Sequence, residues 1–350
     1  MLGSIKDTTV REVVFGEKIK EIRQSFADGK FHEEYCKYCI DVEKDGHESE
    51  RHWHNATAGE FNLPPDYLNH YEINLLDVRW NITCNMSCNY CGPFASSKWM
   101  KLMGGMEVNP PTKHIDDVLD LIQEHKQHIK QVNLIGGEPL LLRDNIRLLS
   151  ILDEDTEIAL ISNLNADLET NKVYNLLKSF SNVNWNISFE NTKEDFEYVR
   201  YGGKWELMTR NLAELHKQNN FHVGLAPVYN LYVVTKLVSY YEWVSTLPNN
   251  TNLSWSYLIE PAELAVKNQS KIVPLAIAEL EQVLETFRRK NSERVWLEQM
   301  LATLKSADDV DMSDKFINKF TSDIENKYHP DQQGQFQKLW PQLYTQLTKT

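Results

Sequence analysis

The stretch Asn81-Ile-Thr-Cys-Asn-Met-Ser-Cys-Asn-Tyr-Cys-Gly92 places three cysteines, Cys84, Cys88 and Cys91, within eight residues. A cubane iron–sulfur cluster has four irons, and each iron normally binds one cysteine thiolate. Three thiolates therefore leave one iron with an open coordination position, which is typical of a catalytic rather than a structural metal site. The spacing predicts a cluster that binds a further ligand at its free iron.

Two other interpretations of these cysteines are open on spacing alone. A structural zinc site needs a fourth ligand, and the next cysteine or histidine after Cys91 is His114. The three thiols would otherwise be buried without a metal. The motifs farther along the chain favour the cluster.

The composition is that of an ordinary globular protein, with 350 residues, 41% of them hydrophobic and 25% charged. This length suits one barrel-type domain or two smaller domains. The net charge of −13 argues against a partner that is a nucleic acid or an anionic membrane, because either requires a basic face. The N-terminus, Met-Leu-Gly-Ser-Ile-Lys-Asp, has no apolar core of signal-peptide length, and no apolar run approaches a membrane span.

All five cysteines precede residue 92, and this is not the pattern of a secreted disulfide framework. Oxygen-sensitive iron chemistry also requires reduced thiols. We therefore expect a cytoplasmic protein.

Short apolar runs alternate with helical patterns from residue 71 onward, and this alternation indicates βα units on a parallel sheet. The predicted strands are Asn74–Trp80, Val132–Ile135, Glu157–Ser162, Trp185–Glu190, His222–Val228 and Leu253–Ile259. Six units are too few for a closed eight-stranded barrel. The predicted fold is therefore α/β, a partial (β/α)6 TIM-type barrel at residues 71–260. An N-terminal extension at residues 1–70 precedes it, and a helical region at residues 261–350 follows.

Polar motifs follow several of the predicted strands, at the end where parallel barrels place their catalytic residues. Gly136-Gly-Glu138-Pro139 follows the second strand, and glycines there allow a ligand to approach the backbone. Ser162 and Asn163 end the third strand, and Ser188 and Glu190 end the fourth. Polar residues at strand ends also cap helices, and that alternative holds for Asn165 and Asn191.

The cysteine spacing, with Tyr90 before the last cysteine and Gly136-Gly-Glu138 one strand later, resembles the signature of the radical S-adenosylmethionine (radical SAM) enzymes. In that family the free iron of a [4Fe-4S] cluster chelates SAM. Reductive cleavage of SAM, with an electron from a partner such as flavodoxin or ferredoxin, gives a 5′-deoxyadenosyl radical that abstracts hydrogen from a substrate.

The resemblance implies a role for individual residues. Cys84, Cys88 and Cys91 would bind the cluster. Contacts to SAM are expected from Tyr90, Gly136, Gly137, Glu138, Ser162, Asn163, Ser188 and Arg200. For Arg200 the alternative is a surface salt bridge. Glu190 is the candidate catalytic residue, because a carboxylate inside a barrel needs a partner and would contact substrate or transfer a proton. Tyr229 and Asn230 would flank adenine or substrate, and Trp99 would serve packing.

The run from Cys84 to Trp99 resembles the SPASM/twitch branch of this family, and so does Cys36-Lys-Tyr-Cys39 with Glu43, Gly46, Ser49 and Arg51. That branch carries auxiliary cluster cysteines after the barrel, whereas no cysteine follows Cys91 here. Cys36 and Cys39 would supply half of a second metal site, for zinc or an iron–sulfur cluster. Candidates for its other ligands are His47, His52 and His54, and a bare dithiol or a packing role is the alternative.

The branch acts mostly on peptides and proteins, so a peptide or protein is the first candidate substrate. The alternatives are a dehydrogenase or epimerase of a small alcohol or sugar-like substrate, and a non-catalytic iron–sulfur scaffold. A scaffold would have no need of Glu138, Ser188 and Arg200 beside three cysteines, and these residues argue against it.

Overall fold

This computed structural model describes residues 2–4, 6–44, 49, 51–52, 72–106, 112–287 and 291–349. By its internal contacts the chain divides into two compact units. The N-terminal unit comprises Met1–Asn74 with Pro110–Ile129, and the sheet unit comprises Leu75–Asn109 with Lys130–Thr350. The predicted domain limits at residues 70 and 260 stay predictions.

The strands all belong to the sheet unit. They are β1 (Leu75–Val78), β2 (Gln131–Leu134), β3 (Glu157–Ser162), β4 (Val183–Ile187), β5 (Phe221–Leu225), β6 (Val228–Tyr229), β7 (Asn252–Leu253) and β8 (Ser256–Tyr257).

The α-helices occur in both units. In the described residues they include α1 (Val10–Phe15), α2 (Glu17–Ala27), α3 (Glu33–Lys44), α4 (Ser97–Leu102), α5 (Thr112–His125), α6 (Arg143–Leu149), α7 (Lys172–Leu177), α8 (Lys193–Val199), α9 (Trp205–Leu215), α10 (Leu237–Val244), α11 (Val273–Thr286), α12 (Asn291–Lys305), α13 (Ser313–Lys315), α14 (Gln335–Leu339) and α15 (Pro341–Leu347). In the described part of the chain, no helix has both the length and the apolar character that crossing a bilayer requires.

Six strands pair in parallel in the order β1-β2-β3-β4-β5-β7, and β6 pairs with β8 in parallel beyond them. Pro227 lies between β5 and β6, where it has no N–H to donate to a ladder, so the fifth predicted strand is divided in two. Neighbouring strands follow chain order, as βα units require. The predicted α/β fold, a partial (β/α)6 barrel, is confirmed.

The two faces of the sheet differ in character. On one face, residues such as Leu134, Leu160 and Trp185 are buried, and the Trp185 ring packs on Tyr174 of α7 at 6.2 Å between centroids. The other face carries one row of residues in register across five strands, Asp77, Asn133, Ala159, Asn184 and His222. These residues are exposed or half-buried. Because parallel sheets are usually covered by apolar packing on both faces, this polar face indicates an open interior.

Hydrogen bonds between neighbouring strands organise the polar face. The Asn133 amide donates to Asp77 at 2.6 Å, and the Asn184 amide donates to Glu157 at 2.7 Å. These hydrogen bonds fix the orientations of the amide and carboxylate groups on the polar face of the sheet.

In the N-terminal unit, α1 packs with α5 through an ion pair between Arg11 and Glu124 and through the rings of Phe15 and His125, whose centroids are 5.0 Å apart. Helix α5 buries Ile115 and Ile122 on one face, as its periodicity predicts. It groups with the N-terminal unit by its contacts.

The C-terminal part of the sheet unit is helical, as predicted. Helix α13 is followed by π-helical turns at Phe316–Thr321 and Ile324–Tyr328. Nothing in the sequence pattern explains the π geometry. Pro341 begins α15 and disfavours helical dihedrals at Trp340, so α14 and α15 are separate helices.

Candidate active site

The cysteine loop, residues 81–96, follows β1 at the carboxyl end of the sheet. Its backbone is held against the segment that ends α8. The Ser87 N–H donates to the Tyr201 carbonyl at 3.0 Å, and the Asn89 N–H donates to the Val199 carbonyl at 2.8 Å. The Asn89 side chain adds a bond to the Tyr198 carbonyl at 3.1 Å. The loop is therefore fixed by backbone bonds on both sides of Cys88.

The three thiols of this loop are half-buried, and burial raises the pKa of each of them. For Cys84 the pKa reaches about 11. The free thiols are therefore protonated at neutral pH, and iron binding would release their protons. Two weak donors already face sulfur, since Met86 N lies 3.5 Å and Asn163 Nδ2 3.8 Å from Cys84 Sγ.

Among the described residues, no three or more His, Cys, Asp and Glu side chains are grouped to hold one metal ion. A cubane does not require such a group, because each thiolate binds a different iron. Three partly accessible thiols on one loop, with N–H donors facing sulfur, fit that donor set.

The Gly136-Gly-Glu138 turn packs directly on the cysteine loop. A Cβ at position 137 would lie 2.3 Å from the Thr83 carbonyl oxygen and 2.4 Å from that of Ile82, so only glycine fits. Gly136 has φ of +144°, which residues with a side chain rarely adopt. The Glu138 N–H donates to the Thr83 carbonyl at 2.8 Å. The turn and the loop therefore form one backbone unit.

The Glu138 carboxylate is fully buried and accepts three hydrogen bonds. The donors are the Ser162 hydroxyl at 2.8 Å, the Asn163 N–H at 2.8 Å and the Leu140 N–H at 3.2 Å. Burial raises the pKa of Glu138 to about 7, against the opposing effect of these donors. Its oxygens bind the end of β3 to the turn after β2. The predicted contact of Glu138 with SAM stays a prediction.

Asparagine side chains connect the cysteine loop to the end of β3. Asn163 Nδ2 donates to Asn85 Oδ1 at 2.9 Å, and Asn85 Nδ2 donates to the Asn165 carbonyl at 2.7 Å. Asn165 Oδ1 in turn accepts from the N–H of Lys204 at 2.7 Å, next to the start of α9. Hydrogen bonds of side-chain amides thus join the cysteine loop, the end of β3 and the start of α9.

A buried cluster of charge lies beside the cysteines. Glu190 and Arg200 are 1% and 4% exposed, and Arg200 Nη2 lies 2.9 Å from Glu190 Oε2. The Tyr90 hydroxyl donates to the same oxygen at 3.2 Å, and the Arg200 guanidinium lies 5.5 Å from the Tyr90 ring centroid. Burial alone lowers the pKa of Arg200, but the carboxylate of Glu190 holds it above its ordinary value. Arg200 is therefore a permanent buried cation, and its ion pair is not a surface one.

The cysteine loop, the glycine turn and the buried ion pair all lie within residues 81–236, which match the model of the radical SAM superfamily. These residues are a radical SAM domain. The identification made from the cysteine spacing and the glycine turn is confirmed. Residues 1–80 and 237–350 lie outside the match.

No curated protein sequence matches the chain. Among solved structures, anSMEcpe with bound AdoMet and Cp18Cys peptide is 14% identical with a TM-score of 0.43, over 61% of this chain and 60% of that chain. Streptococcus suis SuiB bound to precursor peptide SuiA is 11% identical with a TM-score of 0.39, over 77% and 60%. TYW1 with a lysine-pyruvate adduct is 14% identical with a TM-score of 0.35, over 60% and 74%. The chain thus spans about three fifths of the anSMEcpe and SuiB structures.

Other predicted residues of the radical SAM domain make contacts within the protein, and their roles toward SAM or substrate stay predictions. Ser188, two residues before Glu190, donates its backbone N–H to the Ser162 carbonyl at 2.9 Å. The Tyr229 ring packs on Trp255 at 6.1 Å.

Three more of these residues make hydrogen bonds that cap a turn or hold a neighbouring segment. Asn230 accepts from the N–H of Tyr232 at 2.8 Å and caps a short turn. The Asn191 amide donates to the Tyr232 carbonyl at 2.9 Å. Trp99 Nε1 donates to the Cys88 carbonyl at 2.8 Å, so this ring supports the cysteine loop.

Cys36 and Cys39 lie outside the radical SAM domain, on α3 of the N-terminal unit. Cys36 is buried, Cys39 is half-buried, and both are free thiols. The exposed His52 lies 3.6 Å from Glu43, which pairs with Arg51. His47 and His54 lie outside the described residues. The second metal site stays a prediction.

Three residues that hold the cysteine loop in place were not predicted from the sequence. Asn85 and Asn89 lie between the cysteines, and their side-chain amides were a readable signal. His329 is different, because its Nε2 lies 3.1 Å from Ser87 Oγ across 242 positions of sequence. No local pattern marks such a contact.

Proposed function

We propose that this protein is a radical SAM enzyme that abstracts hydrogen from a peptide or protein substrate. When bound, a [4Fe-4S] cluster and SAM supply a 5′-deoxyadenosyl radical, after one-electron reduction by a partner such as flavodoxin or ferredoxin. The observation that carries the proposal is the joining of the three-cysteine loop to the glycine turn and to the end of β3. A cytoplasmic location belongs to the same proposal.

Each part of the site has its own task in this proposal. Cys84, Cys88 and Cys91 would hold three irons. Contacts to SAM would come from Tyr90, Gly136, Gly137, Glu138, Ser162, Asn163, Ser188 and Arg200. The glycines expose backbone to the ligand, and the Glu138 side chain keeps that backbone in place through its three donors. The protein thus contributes position and exclusion of water, while the cofactors contribute the reactive species.

The Glu190–Arg200 pair would orient the bound molecules. Glu190 Oε1 and Arg200 Nε have no hydrogen-bond partner among the described residues, although both side chains are buried. Buried polar atoms normally have partners, so the missing partners of these two atoms support contacts with a ligand. Arg200 offers a cation to a carboxylate, and Glu190 offers an acceptor to a hydroxyl or amide of SAM or substrate.

The polar face of the sheet supports a substrate rich in hydrogen-bonding groups. Asn133, Asn184 and His222 lie in one row on this face, and Ser188 and Glu190 follow the end of β4. Backbone amides of an extended peptide would pair with such side chains. The hydroxyls of a sugar-like substrate would pair with them as well, and this is the second candidate.

Anaerobic reconstitution tests the enzyme itself. Reconstituted protein should contain about four irons per chain and form 5′-deoxyadenosine from SAM on reduction. The Cys88→Ala variant should lose the cluster, while Glu138→Ala should weaken SAM binding. If four irons are bound but no 5′-deoxyadenosine forms, the protein is the non-catalytic scaffold instead.

Hydrogen transfer tests the substrate class. Reactions run with perdeuterated peptide pools, or in parallel with perdeuterated sugars and small alcohols, would place deuterium in 5′-deoxyadenosine only when the true class is present. Deuterium from the peptide pool supports the proposal. Deuterium from the sugar or alcohol pool alone would replace it with the second candidate.

A further inference from the structure

His329 is a fully buried residue of the C-terminal helical region, outside the radical SAM match. Its Nε2 lies 3.1 Å from Ser87 Oγ, between Cys84 and Cys88. Its ring stacks on Tyr201 with 3.8 Å between centroids and 14° between planes. It also contacts the ring of Trp99 at 5.4 Å. One histidine therefore contacts Ser87 of the cysteine loop and two aromatic rings outside the loop.

The two residues that carry these rings are themselves hydrogen-bonded to the backbone of the loop. Trp99 donates to the Cys88 carbonyl, and the Ser87 N–H donates to the Tyr201 carbonyl. The His329 ring thus contacts the side chain of Ser87, while the Tyr201 carbonyl accepts a hydrogen bond from the Ser87 backbone N–H.

The segment that carries His329 is fixed independently. The buried Glu325 carboxylate accepts from the Tyr198 hydroxyl at 3.0 Å and from the N–H groups of Gly334 at 2.8 Å and Phe336 at 2.7 Å. Gln332 Nε2 donates to the Tyr198 carbonyl at 3.3 Å. These bonds hold the segment in place without using the contact between His329 and Ser87.

The imidazole contributes a neutral hydrogen-bonding group rather than a charge. Burial lowers the pKa of His329 to about 4. The charge of Asp331 raises this pKa by a smaller amount, and the charge of Lys98 lowers it by less still. At neutral pH the ring can therefore bind Ser87 without adding a cation beside the cysteines.

We propose that His329 is a positioning residue for the cysteine loop, acting through Ser87. Outer residues that orient metal ligands commonly change metal retention and the electronic properties of the metal. The C-terminal region would therefore be part of the cluster environment. The inference rests on the proposed function only in assigning a cluster to the loop.

Four full-length variants test this role. His329→Phe keeps a buried ring against Tyr201 and loses the bond to Ser87. Ser87→Ala removes the same bond from the other side, and the double variant removes both partners. Tyr201→Phe is the matched control, because it keeps the stacked ring and loses only the 2.7 Å bond from its hydroxyl to Asp331.

We expect His329→Phe and Ser87→Ala each to release iron to a chelator about fivefold faster than wild type, the factor for about 1 kcal/mol of one net hydrogen bond. The double variant should be no faster than either single variant. The EPR spectrum of the reduced cluster should change in both single variants and remain that of wild type in Tyr201→Phe. His329→Gln, which keeps a donor and an acceptor, should restore the wild-type spectrum.

A wild-type rate of iron release and a wild-type spectrum in His329→Phe would overturn the inference. Iron release about twenty-fivefold faster than wild type in the double variant would also overturn it, because the two residues would then act independently. A readout without metal separates this inference from the proposed function. In the metal-free chain, the amides of Ser87 and Asn89 should exchange about fivefold faster in His329→Phe. Unchanged exchange refutes the positioning role, whereas missing 5′-deoxyadenosine with altered exchange refutes only the proposed function.

Discussion

Glu138 gives the sharpest test of the energetics of this site. Its carboxylate is fully buried, and burial raises its pKa to about 7 from 4.5. The folded protein therefore holds a proton on Glu138 between about pH 4.5 and 7, where the unfolded chain has lost it. A carboxyl group with a raised pKa makes folding less favourable as the pH rises through that window.

The magnitude follows from the size of the rise. Going from 4.5 to about 7, at about 1.36 kcal/mol per pH unit, comes to about 3 kcal/mol. Glu138→Gln has nearly the same shape and cannot ionise. Relative to this variant, the wild-type free energy of unfolding should fall by about 3 kcal/mol between pH 4.5 and pH 8, with most of the change below pH 7.

Urea unfolding of the metal-free protein, under reducing and anaerobic conditions at pH 4.5 to 8.5, measures this difference. Glu325→Gln is a matched control for placing an amide among three donors, because that buried carboxylate also accepts three bonds. A difference between wild type and Glu138→Gln that is flat with pH would show that Glu138 does not titrate in this window. A difference that grows in favour of wild type as pH rises would show that the three donors outweigh burial.

Two further substitutions test the backbone and the ion pair. Gly137→Ala should lower the iron content of reconstituted protein, because the new Cβ would lie 2.3 Å from the Thr83 carbonyl oxygen, whereas Gly224→Ala, with its nearest contact at 3.4 Å, should keep it. Equal iron in the two variants would contradict the close approach. Arg200→Met should cost about 3–5 kcal/mol in urea unfolding, since it leaves the Glu190 carboxylate buried without its cation, and adding Glu190→Gln should recover most of that loss. A cost of Arg200→Met below about 1 kcal/mol, the value for an exposed pair, would contradict the buried arrangement.

The strands show what hydrophobic alternation can and cannot predict. Glu157–Ser162 was predicted and observed without change, because a turn with the Thr156 N–H bonded to the Asp153 carbonyl precedes the run and polar Asn163 follows it. The fourth strand is Val183–Ile187 rather than Trp185–Glu190, because the alternation of polar and apolar residues continues past the last paired residue. Alternation identifies which residues share a face, but it does not mark where the ladder ends.

The site divides in the same way. The cysteines and Gly137 were readable because a metal and a close backbone approach each require one residue type at one place. The pairing of Glu190 with Arg200 needed the geometry of the end of β4 and of α8, since an arginine near a helix end also suits the surface. His329 was not readable, because its contact with Ser87 joins distant parts of the chain.

That long-range contact has a consequence for the order of folding. Strands β3 and β4 pair through local βα connections, whereas the cysteine loop is complete only after residues up to His329 have been synthesised and docked. Contacts with large sequence separation form late, because loop closure is costly. In pulse-labelled refolding, the amides of Ser87 and Asn89 should become protected after those of β3 and β4, and simultaneous protection would contradict this order. If protection comes in this order, the thiols would be more accessible to iron for an interval before His329 packs on the loop.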